Sequence, residues 1–175
     1  MPETGRKYGC AFCKSGLEDT VAKQMGLLDK TLAAYSVYQM KHKSSNGKRS
    51  FTKTRVFPGY VFFEAADSCP IGLLRNIPAL IRVLTRGDGE WQLEGKDKLY
   101  ARWIIEHQGI IGVSECVRVG DKLVFISGYL KDYEPFILKI DKHNRNCYVA
   151  LVFSNVSYNI WAPFVFTDEY PKPPV

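Results

Sequence analysis

No uninterrupted apolar run of membrane-spanning length occurs in this chain, and its start carries no charged-then-apolar leader. A soluble cytoplasmic protein, with no membrane partner, is the resulting expectation. Histidine is scarce. His42, His107 and His143 lie far apart, with no Ser/His/Asp pattern and no metal-ligand spacing around them. No glycine-rich phosphate loop precedes a helix. Cysteine is present but scattered. Cys10 and Cys13 have the C-x-x-C spacing, yet a four-sulfur zinc site needs a second pair, which Cys69, Cys116 and Cys147 do not supply. A redox pair wants its first thiol at a helix N-terminus, where the dipole lowers its pKa. Both of these cysteines fall in an apparent strand instead. The expectation is buried structural thiols, no catalytic residue, no metal and no cofactor; a thiol enzyme using Cys10 and Cys13 is the rival.

One local absence is equally informative. Between residues 41 and 55 there is no acidic side chain, while Lys41, Lys43, Lys48, Arg49, Lys53 and Arg55 crowd the segment. The formal net charge of +6 favours polyanion partners. Most of it lies early: residues 1–116 hold 17 Lys and Arg against 12 Asp and Glu, and residues 117–175 hold 7 against 6. With 46% hydrophobic residues, burying a core is feasible.

The run Arg55-Val56-Phe57-Pro58-Gly59-Tyr60-Val61-Phe62-Phe63-Glu64 alternates like a buried strand, but Pro58-Gly59 breaks it. Proline has no N–H for the ladder and glycine tolerates a bend, so the pair marks an edge or a kink. Such a break can aim Phe57 and Tyr60 outward. The alternative has them facing opposite sides of a buried strand.

Along the chain, Tyr8 to Cys13 reads as a strand, and Ser15-Gly16-Leu17-Glu18 matches a capping box. Leu17, Val21, Met25 and Leu28 follow at helical spacing. Tyr35 to Met40 reads as a strand, and Ser44-Ser45-Asn46-Gly47 as the turn between two basic arms. Pro70 to Asn76 predicts a short helix, Leu80 to Leu84 a strand, and Asp97 to His107 a helix with Leu99, Trp103 and Ile104 on its apolar face. After Gly112 no helical period appears. Leu123–Ser127, Phe136–Ile140, Cys147–Phe153 and Asn159–Phe166 are short period-two runs, which predict a small closed or nearly closed barrel. The expected class is an α+β N-terminal domain over residues 1–107, an antiparallel sheet with flanking helices, followed by a small all-β barrel. The linker falls at 108–116, the barrel at 117–170, and a proline-rich frayed tail at 171–175.

This order of elements resembles the NusG family of transcription elongation factors, in which an N-terminal α+β domain precedes a KOW-type barrel. Val56-Phe57-Pro58-Gly59-Tyr60-Val61-Phe62 is similar to the family's F-P-G-Y-V signature, and Tyr8 to Gly16 to its opening strand. Gly120 to Gly128 resembles the start of a KOW motif, and Lys139 to Val149 its second half. Tyr8 stands where members often carry tryptophan, and Glu134-Pro135 where many have Glu-Gly. These departures suit a specialised LoaP-like antiterminator at least as well as the general factor.

The resemblance implies docking on the clamp helices of RNA polymerase through Tyr8, Phe57, Pro58 and Tyr60. Lys41, Lys43, Lys48, Arg49, Lys53 and Arg55 would follow DNA at the transcription bubble. The barrel would contact a structured RNA, a ribosomal protein or a termination factor. For RNA, Arg118, Lys131, Lys139, Lys142, His143 and Arg145 form the expected basic rim, with Tyr129, Tyr133 or Phe136 stacking on a base. The expected activity is processive elongation and antitermination by a monomer, recruited by a leader RNA. The rivals are a general pausing or termination-coupling factor and a free KOW-type RNA-binding protein.

Overall fold

The computed structural model describes residues 5–46 and 48–167, except the side chains of Ser44, Ser45 and Arg49. The predicted tail at 171–175 lies outside the described residues. The chain opens with β1 (Arg6–Cys13), α1 (Glu18–Leu28) and β2 (Ala33–Tyr35). β3 (Val37–Ser45), β4 (Lys48–Val56) and β5 (Tyr60–Ala66) follow. A 3-10 turn (Ile71–Asn76), β6 (Leu80–Val83) and α2 (Gly95–Glu106) come next. The remainder is β7 (Ile110–Ile111), β8 (Ser114–Val119), β9 (Lys122–Ser127), α3 (Tyr129–Asp132), β10 (Ile137–Asp141), β11 (Asn146–Phe153) and β12 (Val156–Phe166). The class is mixed α+β with strands predominating.

Two compact units emerge: Met1–Val37 with Phe57–Ile110, and Tyr38–Val56 with Ile111–Val175. In the first, an antiparallel sheet runs β2-β5-β1-β6. Alternation along the strands sends Ala11, Cys13, Val61, Phe63 and Ala65 to one face, against Val21 and Met25 of α1 with Leu74 and Ile77. Gly9 is required there, because an added Cβ would lie 2.3 Å from Phe63 Cζ. The other face carries Cys10 and Phe62 toward α2, where Tyr100, Trp103 and Ile104 are buried. Fully burying each large apolar side chain contributes about 1.5–3 kcal/mol.

The second unit holds two sheets. The hairpin of β3 and β4 belongs to a sheet of order β4-β3-β7. The other sheet has the order β10-β11-β12-β8-β9. β11 and β12 pair antiparallel from Asn146↔Pro163 to Phe153↔Val156 across Ser154-Asn155, both at positive φ, as a two-residue hairpin turn demands. β12 runs parallel to β8, and β8 antiparallel to β9. Phe125, Phe153, Ile160 and Phe164 fill the core between these strands.

Several expectations need correction. The strand predicted over 35–40 is broken at Ser36, whose hydroxyl bonds Asp19. The first half of β8 lies where a linker was expected. The half expected to be free of helix contains α3, held by the Leu130 N–H on Ser114 Oγ at 3.0 Å. On α2 Trp103 and Ile104 are buried as expected, but Leu99 is exposed and Tyr100 takes its place in the core, where it meets Phe57 and Phe62. Leu17 and Leu28, at the ends of the α1 stripe, are likewise exposed, since the core contact ends at Val21 and Met25.

Candidate functional site

The Pro-Gly break is a tight turn joining strands of different sheets, and the kinked single strand is corrected accordingly. β4 ends at Val56, Phe57 takes φ 55° and Gly59 φ 84°, and the Tyr60 N–H donates to Phe57 O at 3.0 Å. A bulky residue at positive φ is strained by about 1–3 kcal/mol. Burial offsets that cost: Phe57 is 1% exposed, with Phe62 and Tyr100 each 5.8 Å away, centroid to centroid. Phe57 therefore packs in the core, and the outward orientation expected of it is corrected.

Gly59 is fixed from both sides. Its N–H donates to Glu18 Oε1 at 2.7 Å, and its carbonyl accepts from the Cys13 N–H at 2.8 Å. An added Cβ would lie 2.8 Å from the Phe12 ring. Glu18 is fully buried, and its Oε2 accepts the Gly16 N–H at 2.9 Å. The predicted capping box thus forms differently. Leu17 occupies the N-cap without a side-chain cap bond, and Glu18 couples the helix start to a turn 41 residues away. A buried carboxylate accepting two backbone N–H groups is held where desolvation alone would reject it.

Beside this staple, half-buried Tyr60 pairs with Phe12, ring centroids 5.3 Å apart, and Pro58 is exposed. Phe12 was absent from the sequence-derived anchors. Its signal was the period-two series Tyr8, Cys10, Phe12, which puts it on the Tyr60 face. Tyr8 shares that face but lies opposite Glu64, whereas Phe12 lies opposite Tyr60. Four residues of strand separate them, about 13 Å. Tyr8 and Tyr60 are not one patch. Burial first, then the charge of Glu64, raises the Tyr8 phenol above its ordinary value. Arg6 holds Glu64 at 2.8 Å.

The hairpin divides the predicted DNA contacts between two faces. His42 meets Phe51 edge-on at 5.3 Å, Lys53 Nζ sits 4.0 Å above the Tyr38 ring, and Arg55 donates to Tyr38 Oη at 2.6 Å. Across the ladder Ser50 Oγ reaches Lys43 O at 3.5 Å and Thr52 Oγ1 reaches Lys41 O at 3.4 Å. With period two, Lys41, Lys43 and Lys48 share the hydroxyl-bearing face, and Lys53 and Arg55 the aromatic one. The four lysines are exposed and Arg55 is half-buried. The Arg49 side chain lies outside the described residues.

In the five-stranded sheet, Arg118 and Arg145 converge on the Phe166 ring, at 5.1 and 5.2 Å. Lys142 donates to Asp121 O at 3.3 Å at the neighbouring turn, where His143 is exposed. Lys131 follows the opposite end of β9, and Lys139 lies within β10, so the six predicted RNA contacts do not make one rim. Of the stacking candidates, Tyr129 is buried, and Tyr133 stacks on it at 4.6 Å. Burial pushes the Tyr133 phenol far above its ordinary value. Phe136, the third candidate, is 43% exposed.

Cys10 and Cys13 are buried thiols of β1, and desolvation raises the Cys10 thiol well above its ordinary value, opposite to what a nucleophile needs. Among the described residues no cluster of His, Cys, Asp and Glu has metal-binding geometry, and no helix is long and apolar enough to cross a membrane.

No family model and no curated protein matches this chain. Solved structures do. One is NusG of Thermotoga maritima, from a study of domain interaction in that protein, at 18% identity and TM-score 0.50, covering 90% of this chain and 93% of that one. At that identity the likeness establishes architecture: this chain has a NusG-like fold.

Proposed function

We propose that this protein is a NusG-type transcription elongation factor that docks on the clamp helices of RNA polymerase and contacts nearby DNA. The observation that supports it is the stapled aromatic corner: Tyr60 on Phe12, fixed by Gly59, Glu18 and Cys13, within a NusG-like fold. Aromatic anchors held in one conformation lose little entropy on docking and dominate interface energy. Phe57 serves this surface from beneath, as a core residue. Tyr8 contributes a separate contact about 13 Å away.

In this reading the cationic hairpin lies along DNA phosphates, and β8 to β12 form a KOW-type module. Bridging clamp and DNA favours the elongating state over the paused one and requires no catalytic group. A specialised antiterminator of the LoaP kind, acting in the cytoplasm as a monomer, remains the preferred form. The Arg118–Phe166–Arg145 cluster supports RNA contact by that module.

Co-migration with core RNA polymerase tests the docking. The double substitution Phe12→Ala and Tyr60→Ala should abolish it while circular dichroism stays unchanged. Full retention overturns the assignment. Single-round transcription across a terminator, with and without the leader RNA, tests antitermination: readthrough only with the leader is the expected result.

A further inference from the structure

The edge strand β6 of the first unit's sheet is irregular. It pairs with β1 as Ala11↔Val83 and Phe12↔Arg82, but Cys13 pairs with Leu80, so Ile81 is an extra residue. Regular alternation would send Leu80 and Val83 to opposite faces. Both instead pack against the core that holds Val21 and Met25, as a bulge allows. The bulge leaves Ile81 and Arg82 outside that core: Ile81 is 55% exposed, and Arg82 is exposed too. Two residues of β6 therefore stand opposite one of β1, and that one is Phe12.

On its other side Phe12 lies opposite Tyr60, so Tyr60, Phe12 and Arg82 form one row across β5, β1 and β6. Neighbouring strands are about 4.8 Å apart, and the row spans about 9.6 Å. Its character changes along the way, from the two rings to aliphatic Ile81 and cationic Arg82. Among the described residues Arg82 has no ion-pair or hydrogen-bond partner. Ile81 and Arg82 also border a cleft of about 270 Å³ at the outer edge of the sheet, where Arg75 is the other charged side chain. Two guanidinium groups with no carboxylate between them, set beside apolar side chains, complement a surface that carries an acid next to an apolar stripe.

We infer that Arg82 is a charge-selecting residue of the docking surface: it meets a carboxylate on the polymerase helix that Tyr60 and Phe12 grip. The inference rests on the docking proposed above. A helix repeats side chains along one stripe at i, i+3 and i+7, about 4.5 and 10.5 Å along its axis, which is close to the spacing of the row. A helix laid along the row places its acidic residue over Arg82 about two turns from the residue over Tyr60. An apolar residue falls between them, over Phe12. A nucleic-acid backbone would answer the charge of Arg82 but has no apolar stripe to set against Phe12 and Ile81.

The test measures binding of the full chain to core RNA polymerase by biolayer interferometry. Arg82→Glu should weaken binding about tenfold or more, whereas Arg82→Lys should keep it within about threefold. Lys23→Glu, the same reversal at an exposed position of α1 on the opposite face of the sheet, should leave it unchanged. Each acidic residue of the polymerase clamp helices is then replaced by lysine in turn. One replacement should restore binding of the Arg82→Glu protein while weakening that of the unsubstituted one, an exchange that a purely structural Arg82 does not give. If the unsubstituted protein does not bind polymerase, the docking falls and the inference with it. Full binding after Arg82→Glu, or no restoring replacement, overturns the inference alone. So does a DNA duplex that displaces the unsubstituted protein from polymerase but not the Arg82→Glu variant, because Arg82 then belongs to phosphate.

Discussion

If Lys41, Lys43 and Lys48 on the hydroxyl-bearing face meet three phosphates of duplex DNA, binding must carry a defined salt dependence. Each neutralised phosphate contributes about −0.9 to the slope of log affinity against log salt, so three give about −2.7. Between about 50 and 200 mM salt that slope predicts a loss of about 40-fold in affinity. Fluorescence anisotropy of a labelled duplex measures it directly. Replacing the three lysines singly by alanine should flatten the slope by about 0.9 each, whatever the DNA sequence. Lys53→Ala should leave the slope nearly unchanged, because Lys53 and Arg55 occupy the other face with Tyr38. A slope near −4.5 would mean that five cations bind and the duplex is gripped from both faces. A triple variant that keeps the wild-type slope refutes the assignment of DNA to this face.

Glu18→Gln keeps the side-chain volume but turns an amide donor toward one of two backbone donors, and should cost about 1–3 kcal/mol by urea unfolding. A change within about 0.5 kcal/mol would show that water replaces the carboxylate. Gly59→Ala combines φ 84° with a Cβ 2.8 Å from the Phe12 ring. It should lower stability by about 1–3 kcal/mol in thermal unfolding and weaken polymerase binding, because Phe12 must move to admit it. Iodoacetamide at neutral pH should label half-buried Cys69 before Cys10, and Cys10 only on unfolding. The raised Cys10 value also has a sign for stability. Below the ordinary thiol value of 9.0 its contribution is intact, and it is lost as pH rises beyond, because the unfolded thiol ionises first. Flat stability between neutral pH and about pH 10 would contradict the burial of that thiol.

The elements most legible in the sequence were those governed by neighbours in the chain. The turn at Asn46 between basic arms, the Leu80 strand and the periodic runs of β11 and β12 are local patterns, and local physics decides them. Glu18 shows where such reading stops. Its spacing from Ser15 promises a cap, yet the chain spends the carboxylate on Gly59, a partner set only by tertiary packing. Phe57 is similar. Alternation cannot reveal a positive φ, and an aromatic beside Pro-Gly looks mobile until Tyr100 and Phe62 enclose it. Phe12 could have been found, since strand alternation already put it on the face of Tyr60. The division of the basic arms into two faces was also within reach, because the turn fixes the register that separates Lys43 from Lys53.

The bond from Glu18 to Gly59 and the one from Cys13 to Gly59 anchor a single residue to two segments more than forty positions earlier. Such a corner is complete only when the opening strand and first helix are in place. Its two stapled amides, Gly59 and Cys13, should therefore exchange together, and a substitution at Glu18 that frees one should speed both.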